Sequence, residues 1–159
     1  NAAEVAFLRA EGAMRGWDMK GTAQELYDEG IKLSFDQYGL KGADEYLGNS
    51  TDKPAGYNDP EESASESAQS TITIKWNEAA DTEEKLERII TQKWIAMWPL
   101  GQEAWSEHRR TGYPRFFKVL DNRSSEGSLS TDLASRIPFS PAERITNAEN
   151  LDAAIQLLG

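Results

Sequence analysis

Cysteine is absent from this sequence of 159 residues, and histidine occurs only once. The lack of cysteine excludes disulfide bonds, thiolate catalysis and zinc sites built on thiolates, although it identifies no cellular compartment. No apolar run approaches the roughly 20 residues that a membrane-spanning helix needs, and neither a signal peptide nor a glycine-rich phosphate-binding loop is visible. The sequence therefore predicts a protein without a metal site or a cofactor.

Positive charge is also scarce. The chain carries 17 Lys and Arg residues against 27 Asp and Glu residues, which gives a net charge of −10. Such a chain repels phosphate backbones, so nucleic acid and anionic membrane surfaces are not expected partners. The hydrophobic fraction of 38% is enough for a folded core, and the length fits one compact domain.

Helical signals dominate what is present. Residues 2–15 form a pattern rich in alanine and glycine, which predicts a helix with a small-residue face. Thr22 and Glu25 then form a capping box that opens a second helix, and Gly39 ends it. Gly30 lies in the middle of this helix, where glycine costs about 1 kcal/mol relative to alanine, so it predicts close packing. The two helices resemble one tetratricopeptide-type hairpin.

A single hairpin of this kind cannot cover both of its apolar faces. We therefore expect the first helix to present apolar side chains such as Val5 or Phe7 toward a further partner. The chain also opens on Asn1 inside a helical pattern rather than on a methionine. These features predict a piece of a longer protein.

The rest of the chain alternates loop and helix signals. Residues 40–70 form a long polar, acidic connection, and "STITIKW" at its end predicts a short strand or an extended edge. Asp81 caps a strongly amphipathic helix that ends at Trp98. The tail, 118–159, is predicted to be mostly loop with a last short helix over 150–158.

The densest chemistry lies in "EAWSEHRRTGYPRFF", which begins at Glu103. A helix over 101–110, followed by Gly112 in a left-handed conformation, places acidic residues in its first turn and basic residues in its last, as the helix dipole favours. Glu107 and Arg110 are one turn apart and can pair, and Trp105 and Arg109 have the same spacing, which allows a cation–π contact. A functional alternative makes His108 a general base or Arg109 an anion clamp. General-base chemistry needs a nucleophile or an orienting carboxylate that the sequence does not mark, so a structural role is favoured.

Aromatic residues supply the candidate ligand contacts. Trp94 and Trp98 could form a sugar platform, but their helical spacing favours a core or an interface. Tyr46 and Tyr57 lie among Gly, Asn, Asp and Pro in the polar connection, where rings can face solvent and stack on a sugar. The alternative is that each ring pins its own loop. We predict Tyr46 and Tyr57 as ligand-binding residues, and no catalytic residue.

Several strings resemble a known family. They are "EKLERIITQKWIAMWPLGQEAWSEHRRTGYPRF", "SRIPFSPAE", "TNAENLDAAIQLL" and "EVAFLRAEGAMRGW". Together they are similar to the C-terminal part of SusD-like (SusD/RagB) proteins, nutrient-binding lipoproteins of the outer membrane in Gram-negative Bacteroidetes. The resemblance covers nearly the whole chain except the acidic 50–70 loop. It implies a scaffold role for Gln92, Lys93, Trp94, Glu103, Trp105, Arg109, Arg110, Gly112, Tyr113 and Pro114.

The resemblance implies a mainly α fold, in which a tetratricopeptide-like hairpin packs against a loop-rich, irregular C-terminal part with little or no β structure. It divides one partial domain, 1–159, into the last tetratricopeptide-like helix pair (1–39), a polar acidic loop (40–70) and the C-terminal region (71–159). It also implies non-catalytic capture of a glycan or oligosaccharide, or in some members a peptide. Delivery would be to a TonB-dependent SusC-like transporter at the cell surface, where a lipid anchor absent from this chain holds the full-length protein in the outer membrane.

Two other functions stay open at this point. The chain has 27 carboxylates, so a helical glycoside hydrolase that uses a carboxylate pair is one of them, although the sequence marks no pair. A scaffold that binds only proteins through its helical repeat is the other. Turnover of a bound polysaccharide would favour the hydrolase, whereas binding of a transporter without affinity for any sugar would favour the scaffold.

Overall fold

The computed structural model describes residues 1–61, 64–121 and 137–158. The chain packs as two compact units, Asn1–Lys118 and Val119–Gly159. Seven helices lie within the described residues: α1 Ala2–Met14, α2 Ala23–Gln37, α3 Ala43–Gly48, α4 Thr82–Ala96, α5 Gly101–Thr111, α6 Pro141–Thr146 and α7 Ala148–Leu158. The predicted fold class, mainly α with little or no β structure, is confirmed. The predicted division at residues 39 and 70 stays a prediction.

The α1–α2 hairpin begins from two capping boxes. Thr22 accepts a hydrogen bond from the backbone of Glu25, whose carboxylate accepts one back from the backbone of Thr22, as predicted. The helices then approach so closely that a Cβ on Gly30 would lie 2.7 Å from the ring of Phe7. Since no side chain fits that gap, the glycine is required by the packing, as its position in the sequence predicted.

Tyr27 lies at the centre of the core in the first unit. Its ring is fully buried and packs on Phe7, with ring centroids 6.1 Å apart, and on Trp76 at 5.3 Å. Its hydroxyl donates a 2.6 Å hydrogen bond to the carbonyl oxygen of Ile74, so the polar end of the ring is satisfied. Burial raises the pKa of Tyr27 above its ordinary value.

The α1 helix leaves part of its surface uncovered in the first unit. Val5 is 55% exposed, whereas Phe7 is fully buried against α2. The expectation of an exposed apolar face on α1 therefore fits Val5 and is wrong for Phe7.

The α4 helix packs on α1 and α2 through one face, which carries Ile89 and Ala96. Trp98 falls just beyond the end of this helix and is 72% exposed, so of the two predicted positions, core or interface, the core is wrong for it and an interface stays a prediction. Trp94 is partly exposed and its ring packs against Phe116. The periodicity identified an apolar helix correctly but did not identify which of its faces has a partner.

The segment between α2 and α4 is more structured than predicted. Helix α3 forms where the sequence predicted only loop. The "STITIKW" segment, predicted as a short strand or an extended edge, forms no strand, and individual hydrogen bonds fix it instead. One joins the Lys75 amide to the Asn49 carbonyl at 2.9 Å, and another joins Arg88 Nε to the Thr73 carbonyl at 3.0 Å. Within the described residues, the only β pairing is an isolated bridge between Tyr57 and Glu66.

In the second unit, α7 confirms the predicted last helix and begins at Ala148. Helix α6 replaces part of the extended structure predicted for "SRIPFSPAE", because Ser140 caps it and Pro141 occupies its first turn. The start of that string, Ser135 and Arg136, lies outside the described residues. None of the helices in the described ranges has both the length and the apolar character that crossing a membrane requires.

Candidate functional site

A cavity of about 400 Å³ opens in the first unit between three walls. We call it the α4 cavity. One wall is the face of α4 that carries Trp94, the second is the polar segment after α3, and the third is the segment after α5. The residues that line it and bear on its chemistry are Tyr46, Arg88, Thr91, Gln92, Trp94, Phe116 and Phe117.

The polar segment forms its wall by folding back on itself. Tyr57 and Glu66 exchange two backbone hydrogen bonds, of 2.8 and 2.9 Å. A Cβ on Gly56 would lie 2.9 Å from the Glu66 carbonyl oxygen, so only glycine allows the two sides to come this close. This hairpin-like closure sets 54–55 and 68–70 beside the cavity.

The third wall depends on His108 of α5. Its Nδ1 lies 3.0 Å from the carbonyl oxygen of Pro114, a distance at which a protonated Nδ1 donates a hydrogen bond. The ring of Phe116 packs on His108 with centroids 4.7 Å apart, and on Trp94 at 5.4 Å. The single histidine therefore positions a cavity wall. This is the structural role that the sequence favoured over general-base chemistry.

Of the two predicted ligand-binding tyrosines, Tyr46 lines this cavity, whereas Tyr57 lies beside one of its lining residues, Phe117. Tyr46 lines it from α3, and its hydroxyl donates a 3.1 Å hydrogen bond to Gln92 Oε1. Burial raises the pKa of Tyr46, while the hydrogen bond to Gln92 lowers it by less. Tyr57 is 48% exposed, and its ring centroid lies 6.5 Å from that of Phe117, which lines the cavity. Tyr46 is thus a partly buried helical residue, and Tyr57 an exposed one at the rim.

Two polar groups near the floor of the cavity lack partners. Arg88 is only 2% exposed, and it donates from Nη2 to Glu84 at 3.0 Å. Within the described residues, its Nη1 and the Thr91 hydroxyl are both buried without a hydrogen-bond partner. A buried polar group without a partner is costly, so both groups weaken the packing around α4.

A network of charges beside the cavity holds α1, α4 and α5 together. The fully buried Lys93 ammonium lies 2.9 Å from a carboxylate oxygen of Glu107 and 3.5 Å from one of Glu103. Arg110 donates to Glu107 at 2.6 Å, and to Glu11 at 2.7 and 2.6 Å. All five charges belong to contacts between helices or within α5, which fits a scaffold.

The electrostatics of Glu11 follow from this network. Burial alone would raise the pKa of Glu11, but hydrogen bonds from Arg110 and Arg15 hold it below the ordinary value. The carboxylate is therefore ionised at neutral pH and committed to two guanidinium groups.

The remaining motif residues near the end of α5 also make internal contacts. The Arg109 guanidinium lies 4.6 Å from the ring centroid of Trp105, as the spacing predicted. Gly112 adopts the predicted left-handed conformation, with φ of 76°. Tyr113 is 8% exposed and donates a 3.1 Å hydrogen bond to Glu83.

Sequence reasoning missed Arg88, Thr91, Phe116 and Phe117. Phe116 and Phe117 follow a turn, where no periodicity marks burial. Arg88 carried no such signal either, because it lies off the apolar stripe of α4 and is nevertheless buried. In the described ranges, no group of three or more His, Asp or Glu residues is placed to hold a metal ion.

Comparisons with known proteins agree on one family. The profile of SusD-like proteins, described as "Susd and RagB outer membrane lipoprotein", matches residues 1–159. A chitin-binding SusD homolog from Flavobacterium johnsoniae is 49% identical with a TM-score of 0.85, and the match covers 100% of this chain and 33% of that chain. None of the curated proteins matches the chain.

Two Bacteroides structures are similar to the same extent. A SusD homolog from Bacteroides uniformis ATCC 8492 is 50% identical with a TM-score of 0.81, over 98% of this chain and 33% of that one. A homolog from Bacteroides thetaiotaomicron VPI-5482 is 50% identical with a TM-score of 0.85, over 99% and 33%. The chain spans about one third of the length of these solved relatives. The family profile, the identities and the shared helical fold agree, and the chain belongs to the SusD-like family of outer-membrane lipoproteins.

Proposed function

We propose that this chain forms part of a non-catalytic glycan-capture protein, and that the α4 cavity holds a saccharide. The observation that carries the proposal is the aromatic lining of the cavity, to which Tyr46, Trp94 and Phe117 contribute. Its volume of about 400 Å³ lies in the range of small-molecule sites. The rings of Trp94 and Phe117 offer flat apolar faces for the C–H surface of a pyranose.

The ligand class that we propose is an oligosaccharide of N-acetylglucosamine, whose pyranose rings have C–H faces that suit the aromatic lining. The similarity to a chitin-binding homolog, at 49% identity, supports the same class of ligand here. Chitin oligosaccharides are therefore the first ligands to test.

The predicted tyrosines have distinct roles in this proposal. Tyr57 extends the aromatic surface at the rim beside Phe117. Tyr46 holds the side chain of Gln92 in place on the cavity wall through its hydroxyl.

Delivery to a TonB-dependent SusC-like transporter completes the proposed function. The family description as an outer membrane lipoprotein supports a place in the outer membrane, at the cell surface, through a lipid anchor on the full-length protein. Capture before transport needs reversible binding and no bond cleavage. The carboxylates of Glu11 and Glu107 fit this, because both are occupied by Arg110 and unavailable as a catalytic pair.

The test is calorimetric titration of the full-length protein with the N-acetylglucosamine hexamer. Phe117→Ala and Tyr57→Ala are expected to weaken binding by roughly tenfold each, since each removes a stacking face. Trp98→Ala is the matched control, because Trp98 is an exposed ring that does not line the cavity. It is expected to leave the affinity unchanged.

Chromatography of the titrated saccharide separates the alternatives. Release of shorter saccharides would favour a glycoside hydrolase. Binding of the transporter by a protein with no affinity for any sugar would favour a protein-binding scaffold. Unchanged affinity in all the cavity variants, with the fold retained, would remove the α4 cavity as the site.

A further inference from the structure

A second cavity, of about 680 Å³, opens elsewhere in the first unit. We call it the Trp17 cavity. The turn between α1 and α2, the start of α2 and the segment that leads into α4 form its walls. Its chemistry comes from Trp17, Gln24, Trp76, Glu78, Asp81 and Lys85, none of which lines the α4 cavity.

Trp17 presents its ring from a fixed backbone. The ring is 63% exposed, although indole is among the least polar side chains. The Trp17 amide donates a 2.9 Å hydrogen bond to the Gly12 carbonyl, and the Gly16 amide donates to Ala13 at 3.0 Å. Gly16 itself has φ of 84°, which glycine adopts without strain. The exposed ring therefore sits on a rigid helix end, so little backbone entropy is lost when a ligand stacks on it.

Trp76 and Lys85 orient the Glu78 carboxylate in the same cavity. Trp76 Nε1 donates to one oxygen at 2.7 Å, and Lys85 Nζ donates to the other at 3.2 Å. The hydrogen bond from Trp76 first, and that from Lys85 second, lower the pKa of Glu78. The Glu78 side chain lines the cavity and is still 76% exposed, so the carboxylate remains accessible to a ligand. An ionised acceptor and an ammonium donor thus lie side by side next to two indole rings.

This arrangement matches the chemistry of a neutral sugar. Two adjacent hydroxyl groups on a pyranose can donate to a carboxylate and accept from an ammonium at the same time. The opposite face of the ring, which carries C–H groups, suits an exposed indole. An acidic sugar fits less well, because Glu78 and Asp81 outnumber Lys85 among the charges that line the cavity.

We propose that the Trp17 cavity is a second saccharide-binding site, specific for an uncharged sugar with vicinal hydroxyl groups. Trp17 stacks on the ring, and Glu78 with Lys85 binds the hydroxyl pair. This inference goes beyond the function proposed for the α4 cavity and rests on different residues. Two sites on one protein increase the avidity for a long polysaccharide without new contacts at either site.

The experiment is ¹⁹F NMR of the full-length protein labelled with 5-fluorotryptophan. Each of the 5 tryptophans in this chain gives its own resonance, which single Trp→Phe variants assign. Trp17 reports on its own cavity, Trp94 reports on the α4 cavity, and the exposed Trp98 is the control. The neutral probes are the N-acetylglucosamine hexamer and the hexasaccharides derived from cellulose, maltose-type glucan and xylan. A hexamer of galacturonic acid is the anionic comparison.

With at least one neutral hexamer, the Trp17 resonance is expected to shift saturably while the Trp98 resonance stays in place. Glu78→Gln is expected to weaken the binding seen at Trp17 by about tenfold, because a charge-assisted hydrogen bond is lost, and to leave binding seen at Trp94 unchanged. Gln24→Ala is a milder change than Glu78→Gln in the lining of the same cavity. Because Gln24 is exposed, this variant is expected to fold as the wild type does.

Three results would overturn the proposal. One is a Trp17 resonance that no neutral hexamer moves, and another is a stronger response to the galacturonic acid hexamer. The third is a Glu78→Gln protein that binds as the wild type does. A shift at Trp94 alone would reject this second site while leaving the α4 cavity as the proposed site. A shift at Trp17 alone would support this second site and reject the α4 cavity as the proposed site.

Discussion

Lys93 places an ammonium group in the interior of the first unit, with none of its surface exposed. A buried charge of this kind is tolerated only beside an opposite charge, and Glu107 supplies one at 2.9 Å. Glu107 in turn pairs with Arg110, so the loss of one member leaves another charge buried. The stability of the helix packing around α5 therefore depends on single residues in this network.

We predict that Lys93→Ala lowers the free energy of unfolding by roughly 3–5 kcal/mol, the cost of breaking a buried ion pair. Urea denaturation followed by circular dichroism measures it. The double variant Lys93→Met, Glu107→Leu is expected to lose less free energy of unfolding than Lys93→Ala, because no charge is left unpaired at either position. Lys41→Ala, at an exposed position, is the control. A Lys93→Ala protein with the midpoint of the wild type would contradict this account.

Glu11 gives the fold a dependence on pH. Its pKa in the folded protein lies below its ordinary value of 4.5, so its contribution to stability is present above that value and is lost as pH falls through the folded pKa.

We predict that Glu11→Gln destabilises the protein by roughly 2 kcal/mol at neutral pH, less than for a fully buried pair because Arg110 is partly exposed. The difference from wild type should shrink progressively below about pH 4.5. Urea titrations across this range test it, and a difference independent of pH would refute it.

At the scale of the element, the α1–α2 contact depends on one missing side chain. Gly30 lets the ring of Phe7 pack directly on the α2 backbone. We predict that Gly30→Ala destabilises the protein by about 1–2 kcal/mol, because overpacking exceeds the gain in helix propensity. Thermal melting measures the change. Gly48→Ala, where a Cβ meets nothing within 4 Å, is the matched control.

A second substitution checks the cause of that loss. In the Gly30→Ala background, Phe7→Leu should cost less than it does alone, because a smaller side chain leaves room for the new methyl group. Strict additivity of the two changes would show that Gly30 and Phe7 are not coupled.

Two helix starts were predictable from their side-chain caps. Thr22 and Asp81 marked the starts of α2 and α4 because their side chains bond to the backbone three residues on. Helix α3 has six residues and is preceded by Gly42, which makes no side-chain cap, so nothing local distinguished it from loop. Helix α6 did carry a signal, since Ser140 precedes a proline and Glu143, but the prolines of "SRIPFSPAE" were read as extended.

The candidate site was predictable only in part. Tyr46 and Tyr57 were chosen by their loop-like composition. Tyr46 lines the α4 cavity, Tyr57 lies beside Phe117 without lining it, and ligand binding by either stays a prediction. The pairing of Glu107 with Arg110 followed from helical spacing, whereas the pairing of Glu11 with Arg110 spans 99 residues. Contacts between residues so far apart in the sequence depend on how the helices pack, and a single sequence carries no local signal of that packing.

At the scale of the whole molecule, the net charge of −10 shapes which polymers can approach. Charges on the surface act over a Debye length of about 10 Å at 0.1 M salt and about 3 Å at 1 M. A neutral saccharide carries no charge for this field to attract or repel. Its affinity should therefore depend on stacking and hydrogen bonds alone, in either of the two cavities.

We predict that binding of a neutral hexasaccharide changes less than about twofold between roughly 0.05 M and 0.5 M NaCl. An anionic polysaccharide should bind more weakly than the neutral one at low salt, and the difference should narrow as salt screens the repulsion. Double-stranded DNA should show no binding across the same range, because the acidic surface releases no counterions from phosphates. Calorimetric titration of the full-length protein at the two salt concentrations measures all three. A neutral-sugar affinity that falls steeply with salt would contradict this account, because salt screens interactions between charges and an uncharged ligand carries none.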